Sequence, residues 1–159
     1  MITAARFDAE GLDDLIDEMQ RMGQRSGEVA KAMTAAAADE IRDAWKQAAE
    51  EYGLRDTGAM IESIGFPGPV KDVGGILQQD VYPQGKDERG VRNAEKAFLQ
   101  HYGTSRIKPK YWVDEADAAS GPKVQQRLED IWGEFLETGK VPNIPDGGAS
   151  GGGITKTKK

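Results

Sequence analysis

The chain has 159 residues, 38% of them apolar and 7% aromatic, with 21 basic and 27 acidic side chains, one histidine and no cysteine. That length predicts one domain with a modest core, and the lack of cysteine excludes disulfide frameworks, thiolate metal sites and thiol nucleophiles. No apolar run approaches the roughly 18 residues of a membrane span. The N-terminal MITAARFDAEG lacks the layout of a secretory signal, so the chain is expected to be made in a cytoplasm and to have no membrane partner.

In chain order, Asp8 fits a helix N-cap, with Phe7 before it placed to pack on Leu12. Leu12, Leu15, Ile16, Met19 and Met22 follow at helical steps, and Gly23 is a natural stop. Ser26 can cap a second, longer helix. Its residues Val29, Met33, Ala37, Ile41, Trp45, Ala48 and Tyr52 make one seam at steps of three and four, and Gly53 ends it. The small side chains of 34–38 allow another element to approach closely. The acids Asp13, Asp14, Asp17 and Glu18 fall mostly off the stripe and read as a solvated face.

Beyond residue 53 the texture changes. Phe66-Pro67-Gly68-Pro69, Asp72-Val73-Gly74-Gly75 and Tyr82-Pro83-Gln84-Gly85 are turn clusters. Between them, Ile61–Phe66 and Ile76–Tyr82 read as short strands. Residues 84–95, QGKDERGVRNAE, read as an exposed, mobile loop suited to contacts. A last helix is capped by Ser120 or Gly121, with Pro122 in its first turn. It carries a stripe of Val124, Leu128, Ile131, Trp132, Phe135 and Leu136, and it ends at Gly139. The predicted class is α+β: two N-terminal helices, the second long, a small and mostly antiparallel sheet, and a C-terminal helix. Residues 1–141 form the domain. Residues 142–159, rich in Pro, Gly and Ser and ending KTKK, form a flexible arm.

The charge is uneven. Residues 1–52 hold 12 acids and 6 bases, while residues 53–159 hold 15 of each. A duplex-DNA binder is usually basic or carries a dense basic face, and only residues 86–110, with 7 bases against 3 acids, lean that way. His101 is the sole histidine, and no Gly-x-Ser-x-Gly elbow frames nearby Ser105, so a Ser-His-Asp site is not supported. One histidine, no cysteine and no Asp-x-Asp-x-Asp-Gly loop give no metal site. Gly147–Gly153 lacks the Gly-Lys-Ser/Thr ending and the flanking strand and helix of a phosphate cradle. No cofactor is expected.

The stretch HYGTSRIKPKYW, residues 101–112, is the densest in unusual residue types. Arg106, Lys108 and Lys110 beside Tyr111 and Trp112 could hold a single nucleic-acid strand by charge and stacking. The competing reading is structural. Gly103 permits a tight turn, Thr104 or Ser105 can satisfy loose backbone groups, and Pro109 stiffens the exit and holds Lys108 extended. Tyr111 and Trp112 then pin the last helix to the sheet, and Arg106, Lys108 and Lys110, with Arg89 and Arg92 of the preceding loop, point at a neighbouring subunit.

Three stretches resemble the small head–tail joining and tail-completion (neck) proteins of long-tailed bacteriophages, lambdoid type. Thr57-Gly58-Ala59-Met60-Ile61-Glu62-Ser63-Ile64 is similar to that family's Thr-Gly-x-Leu-x-x-Ser-Ile. Phe98–Thr104 is similar to its apolar strand ending in aromatic-Gly-Thr. Pro109–Trp112 followed by Val113–Ala118 is similar to its Pro-aromatic entry to the last helices. The likeness spans roughly residues 27–136. His101 replaces a frequent Glu, an extra residue follows Pro109, and the 83–96 loop is long.

The resemblance implies a non-enzymatic virion protein, a ring subunit at the head–tail interface or the top of the tail. The ring is a hexamer by analogy, its neighbours are neck, tail-terminator or connector proteins, and DNA passes its lumen without specific binding. The acidic N-terminal half suits such a lumen, because cationic walls would retard the genome. The alternative is a small cytoplasmic nucleic-acid-binding regulator that uses the basic 106–112 loop.

Overall fold

The structure, a computed structural model, describes residues 9–145, with side chains from Ile16 onward. The predicted cap at Asp8, the Phe7–Leu12 contact and the segment after Pro145 lie outside the described residues. The class is α+β, with long helices at both ends and short antiparallel strand pairs between them.

The two predicted N-terminal helices are one. Helix α1 runs unbroken over Ala9–Glu51, 43 residues, or about 65 Å at 1.5 Å per residue. Gly23 does not stop it because the apolar phase is continuous: Met22 and Val29 lie seven residues apart, close to two turns. The Ser26 hydroxyl donates back to the Gly23 carbonyl at 2.6 Å and does not cap a new helix. Gly23 and Gly27 each cost about 1 kcal/mol relative to Ala. That cost is outweighed beyond them, where Val29, Ala32, Ala35, Ala36 and Ala38 are buried.

The cover for that face is helix α4, Trp112–Thr138. It lies antiparallel to α1. Trp45 Nε1 donates to Asp117 at 3.0 Å, Arg127 reaches Glu40 at 3.2 Å and Asp39 at 3.4 Å, and Arg25 donates to the Gly139 carbonyl. This helix starts well before the predicted Ser120 or Gly121, so Pro122 sits in its interior. An interior proline costs about 3 kcal/mol. Packing on both sides of it compensates, with Trp112 and Ala116 buried before it and Ile131 and Phe135 after it. The C-terminus is as predicted: Gly139 adopts φ 67°, and its N–H donates to Phe135 O at 2.8 Å.

Between these helices the chain makes a helical turn, α2 (Ala59–Glu62), and four short strands: β1 (Ile64–Gly65), β2 (Lys71–Val73), β3 (Ile76–Gln78) and β4 (Tyr82–Pro83). These form two separate antiparallel pairs, β1 with β4 and β2 with β3. Of the predicted strand Ile61–Phe66, only the middle is extended, because Gly58 at φ 87° starts a helical turn that includes Ile61. The predicted strand Ile76–Tyr82 is split between the two pairs where Gln79 turns to donate to the Gly68 carbonyl at 2.9 Å.

The largest difference concerns Phe98–Tyr102. The family-like strand expected there is the end of helix α3, Asn93–Tyr102. The pattern explains it: Ala94, Ala97, Phe98, His101 and Tyr102 fall at helical steps of three and four, not at alternate positions. The preceding loop is not loose either. Asp87 is buried and accepts the N–H groups of Arg89 and Val91, each at 2.9 Å, while its other oxygen pairs with Lys96.

Two apolar clusters result. The first joins Ala48 and Ala49 of α1, Met60, Ile61 and Ile64 of the family-like Thr-Gly stretch, Ala97 of α3, and Trp112 and Ala116 of α4. The second joins Val29 and Ala36 to Ile131 and Phe135. Val141 and Ile144 pack on the second cluster, so the segment assigned to a flexible arm from 142 begins against the body.

Candidate functional site

The residues singled out from sequence lie on the turns around α3. Gly103, at φ 75° and ψ 179°, follows the last turn of that helix. A Cβ there would sit 2.5 Å from the Ile107 carbonyl and 2.8 Å from the Pro109 ring, so the return of the loop over α3 requires glycine. Thr104 accepts the N–H groups of Arg106 at 3.1 Å and Ile107 at 3.0 Å through its hydroxyl, and its own N–H donates to Ile107 O at 2.8 Å. Lys110 and Tyr111 donate from their backbones to the carbonyls of Gln100 and His101, each at 3.1 Å. The loop is thereby laced to the helix it leaves.

Tyr111 and Trp112 have opposite fates. Trp112 is fully buried. Its ring meets Trp45 edge-on at 5.6 Å, and its indole N–H donates to the Ala97 carbonyl at 3.3 Å. It thus ties α4 to α1 and α3; the sheet to which it was expected to pin the helix contributes only Ile64 to its cluster. Tyr111 takes a left-handed conformation, φ 49°, and stays exposed.

The five cations differ in their partners. Arg89 pairs with Asp56 and lies 3.5 Å from Asp87. Lys110 Nζ donates to Gln100 at 2.8 Å. Arg92 is the exposed residue before α3. Arg106 and Lys108 are exposed, with no ion-pair partner among the described residues.

His101 is buried, and its Nδ1 accepts the Val113 N–H at 3.3 Å, which commits that nitrogen to holding the start of α4. Its Nε2 lies 3.9 Å from Asp114. Among the described residues, no group of three or more His, Cys, Asp or Glu is placed to hold a metal ion. No helix is long and apolar enough to cross a membrane.

The most distinctive surface was missed in the sequence. In a strand Phe98 and Tyr102 would share a face but stand about 13 Å apart, whereas the helix stacks them one turn apart, ring centroids 4.7 Å apart, on one exposed face. With Tyr82 and the edges of Trp45, Pro83 and Val113 they rim a cleft of about 290 Å³. The missed signal was the three-and-four spacing of Ala94, Ala97, Phe98, His101 and Tyr102.

No curated protein and no solved structure matches the chain. One family description does match: the HK97-gp10_like model, "Bacteriophage HK97-gp10, putative tail-component", covers residues 13–112, well over half of the 159 residues. The matched span takes in most of α1, the Thr-Gly stretch, α3 and its return loop, and it stops at Trp112, where α4 begins. The chain therefore belongs to the HK97-gp10-like family of bacteriophage tail components.

Proposed function

We propose that the protein is a non-enzymatic ring subunit of the virion, placed at the head–tail interface or the top of the tail, where it completes the tail or joins it to the head. Family membership supplies the tail assignment. The observation that carries the rest is the exposed aromatic group of Tyr82, Phe98, Tyr102 and Tyr111, a surface suited to burial by another protein. By analogy the ring is a hexamer, its neighbours are neck, tail-terminator or connector proteins, and DNA passes its lumen unbound. The regulator reading loses its stronger stacking group, because Trp112 is interior and only Tyr111 remains beside the basic loop.

Electron microscopy of a lysate from a phage with this gene inactivated tests the reading. Filled heads beside separate or misended tails are expected. Normal joined, infectious particles would overturn it. Arg106→Glu/Lys108→Glu/Lys110→Glu separates the rival: lost nucleic-acid binding supports the regulator, and defective assembly supports the neck subunit.

A further inference from the structure

The second feature that the fold leaves uncovered is the β2–β3 hairpin. Val73 and Ile76 are cross-strand partners on either side of Gly74-Gly75, whose φ values of 63° and 85° make the tight two-residue turn of a twisted hairpin. Side chains alternate along each strand, so Val73, Ile76, Lys71 and Gln78 share one face, and the Asp72–Leu77 pair takes the other. Leu77 is half-buried. Val73 and Ile76 are 53% and 64% exposed. An apolar cross-strand pair pointing outward from a two-stranded sheet with free edges invites pairing with another molecule.

The chain therefore displays an apolar projection and, formed by different residues, an apolar cleft. We infer that the hairpin face bearing Val73 and Ile76 of one copy seats in the aromatic cleft rimmed by Tyr82, Phe98 and Tyr102 of a second copy. Size agrees: a cavity of about 150 Å³ accepts benzene, so a cleft of about 290 Å³ holds the seven aliphatic side-chain carbons of this pair. Charge agrees as well. Lys71 flanks the pair on the same hairpin face, and Asp114, its side chain 74% exposed, stands on the cleft rim. Because the two patches differ, the contact is head-to-tail, which generates a ring where the rotation between copies closes. The inference rests on the ring-subunit reading and specifies its interface.

The absence of cysteine gives a background-free test. Ile76→Cys and Phe98→Cys replace exposed side chains, and each variant should melt like the parent. Both are supplied, singly and together, to a phage lacking the gene, and the particles are oxidised and run on a non-reducing gel. A disulfide-linked dimer that forms only when the two variants are mixed is the expected result, and the Ile76→Cys/Phe98→Cys chain should give a ladder. Incorporation of both variants without a dimer would overturn the inference. So would dimers from either variant alone, which mean a like-to-like contact, or linkage to a different virion protein. If the unsubstituted chain, supplied in parallel, does not enter particles, the ring-subunit reading itself falls, and this contact with it.

Discussion

The two ends of α1 carry the same kind of apolar stripe and meet different fates. Toward its C-terminus, Ala48 and Ala49 are buried among α2, α3 and α4, and Trp45 stacks edge-on against Trp112. Toward its N-terminus, α4 has already ended, since Gly139 lies level with Arg25. Met22 still packs on the second cluster, and about 12 residues of α1 before Arg21, some 18 Å of helix, run on past it. There Ile16 and Met19 are 43% and 64% exposed. Helical periodicity states that a face is apolar and leaves open whether the same chain covers it. The covered end holds the fold together, and the bare end is surface.

Trp112→Ala should break the covered end hardest. It removes the largest buried side chain, the edge contact to Trp45 and the bond to Ala97. A loss of about 3–5 kcal/mol, read from urea unfolding, is a large share of the 5–15 kcal/mol typical of a domain. A loss under about 1 kcal/mol would mean that the first cluster does not hold the helices together.

Gly103→Ala tests the turn that delivers Trp112 to that cluster. Its φ and ψ belong to a region essentially reserved for glycine, and the added methyl meets the Ile107 carbonyl and the Pro109 ring. Destabilisation of about 1–3 kcal/mol is expected. Gly90→Ala makes a useful control: its φ of 79° is also positive, but nothing stands within 4 Å of an added Cβ. The difference between the two variants isolates the close approach.

Much of this covered region was legible in the sequence, and the reasons are local. The cap at Gly139, the turn at Gly103 and the hydroxyl bonds of Thr104 follow from residue chemistry that acts within a few positions. The Thr-Gly stretch likewise gave its place in the chain, since Met60, Ile61 and Ile64 all enter the first cluster. What was not legible depended on distant packing. Gly23 and Pro122 read as helix boundaries from their propensities, but Pro122 lies inside α4 because residues on both sides of it are buried, and Gly23 lies inside α1 because the apolar phase runs across it from Met22 to Val29. The exposed aromatics were hidden by a wrong period for Phe98–Tyr102. The partners of the basic residues were not legible either, since Arg89 meets Asp56, 33 positions away, and Lys110 meets Gln100, 10 positions away.

Acid sharpens the comparison at an intermediate level, because Asp87 locks the loop before α3. Its bond to Lys96 is the main cause that lowers its pKa from 3.8 to about 2, and the Val91 and Arg89 N–H groups add to it. The folded state therefore binds this proton less readily than the unfolded one. The stabilisation is complete above pH 3.8 and is lost as pH falls from there toward 2. Thermal unfolding followed across that window should show a falling midpoint in the parent and a flatter profile in Asp87→Asn. Parallel profiles would remove Asp87 as the cause.

The smallest effect is expected at the bare end itself. Ile16→Ser/Met19→Ser changes two large apolar residues that no described element of the chain covers, so the isolated protein should keep its stability to within about 0.5 kcal/mol. The same kind of truncation at Val29, 1% exposed on the same helix, should cost roughly 1–3 kcal/mol through lost burial. Urea unfolding of the two variants side by side compares positions of like chemistry on one helix that differ in cover. If Ile16→Ser/Met19→Ser destabilised the protein as much as Val29→Ser, another segment of the chain would have to lie over the N-terminal stretch of α1. Equal stability to the parent would leave that stripe dispensable for folding, and its apolar character would then need an explanation outside the folded monomer.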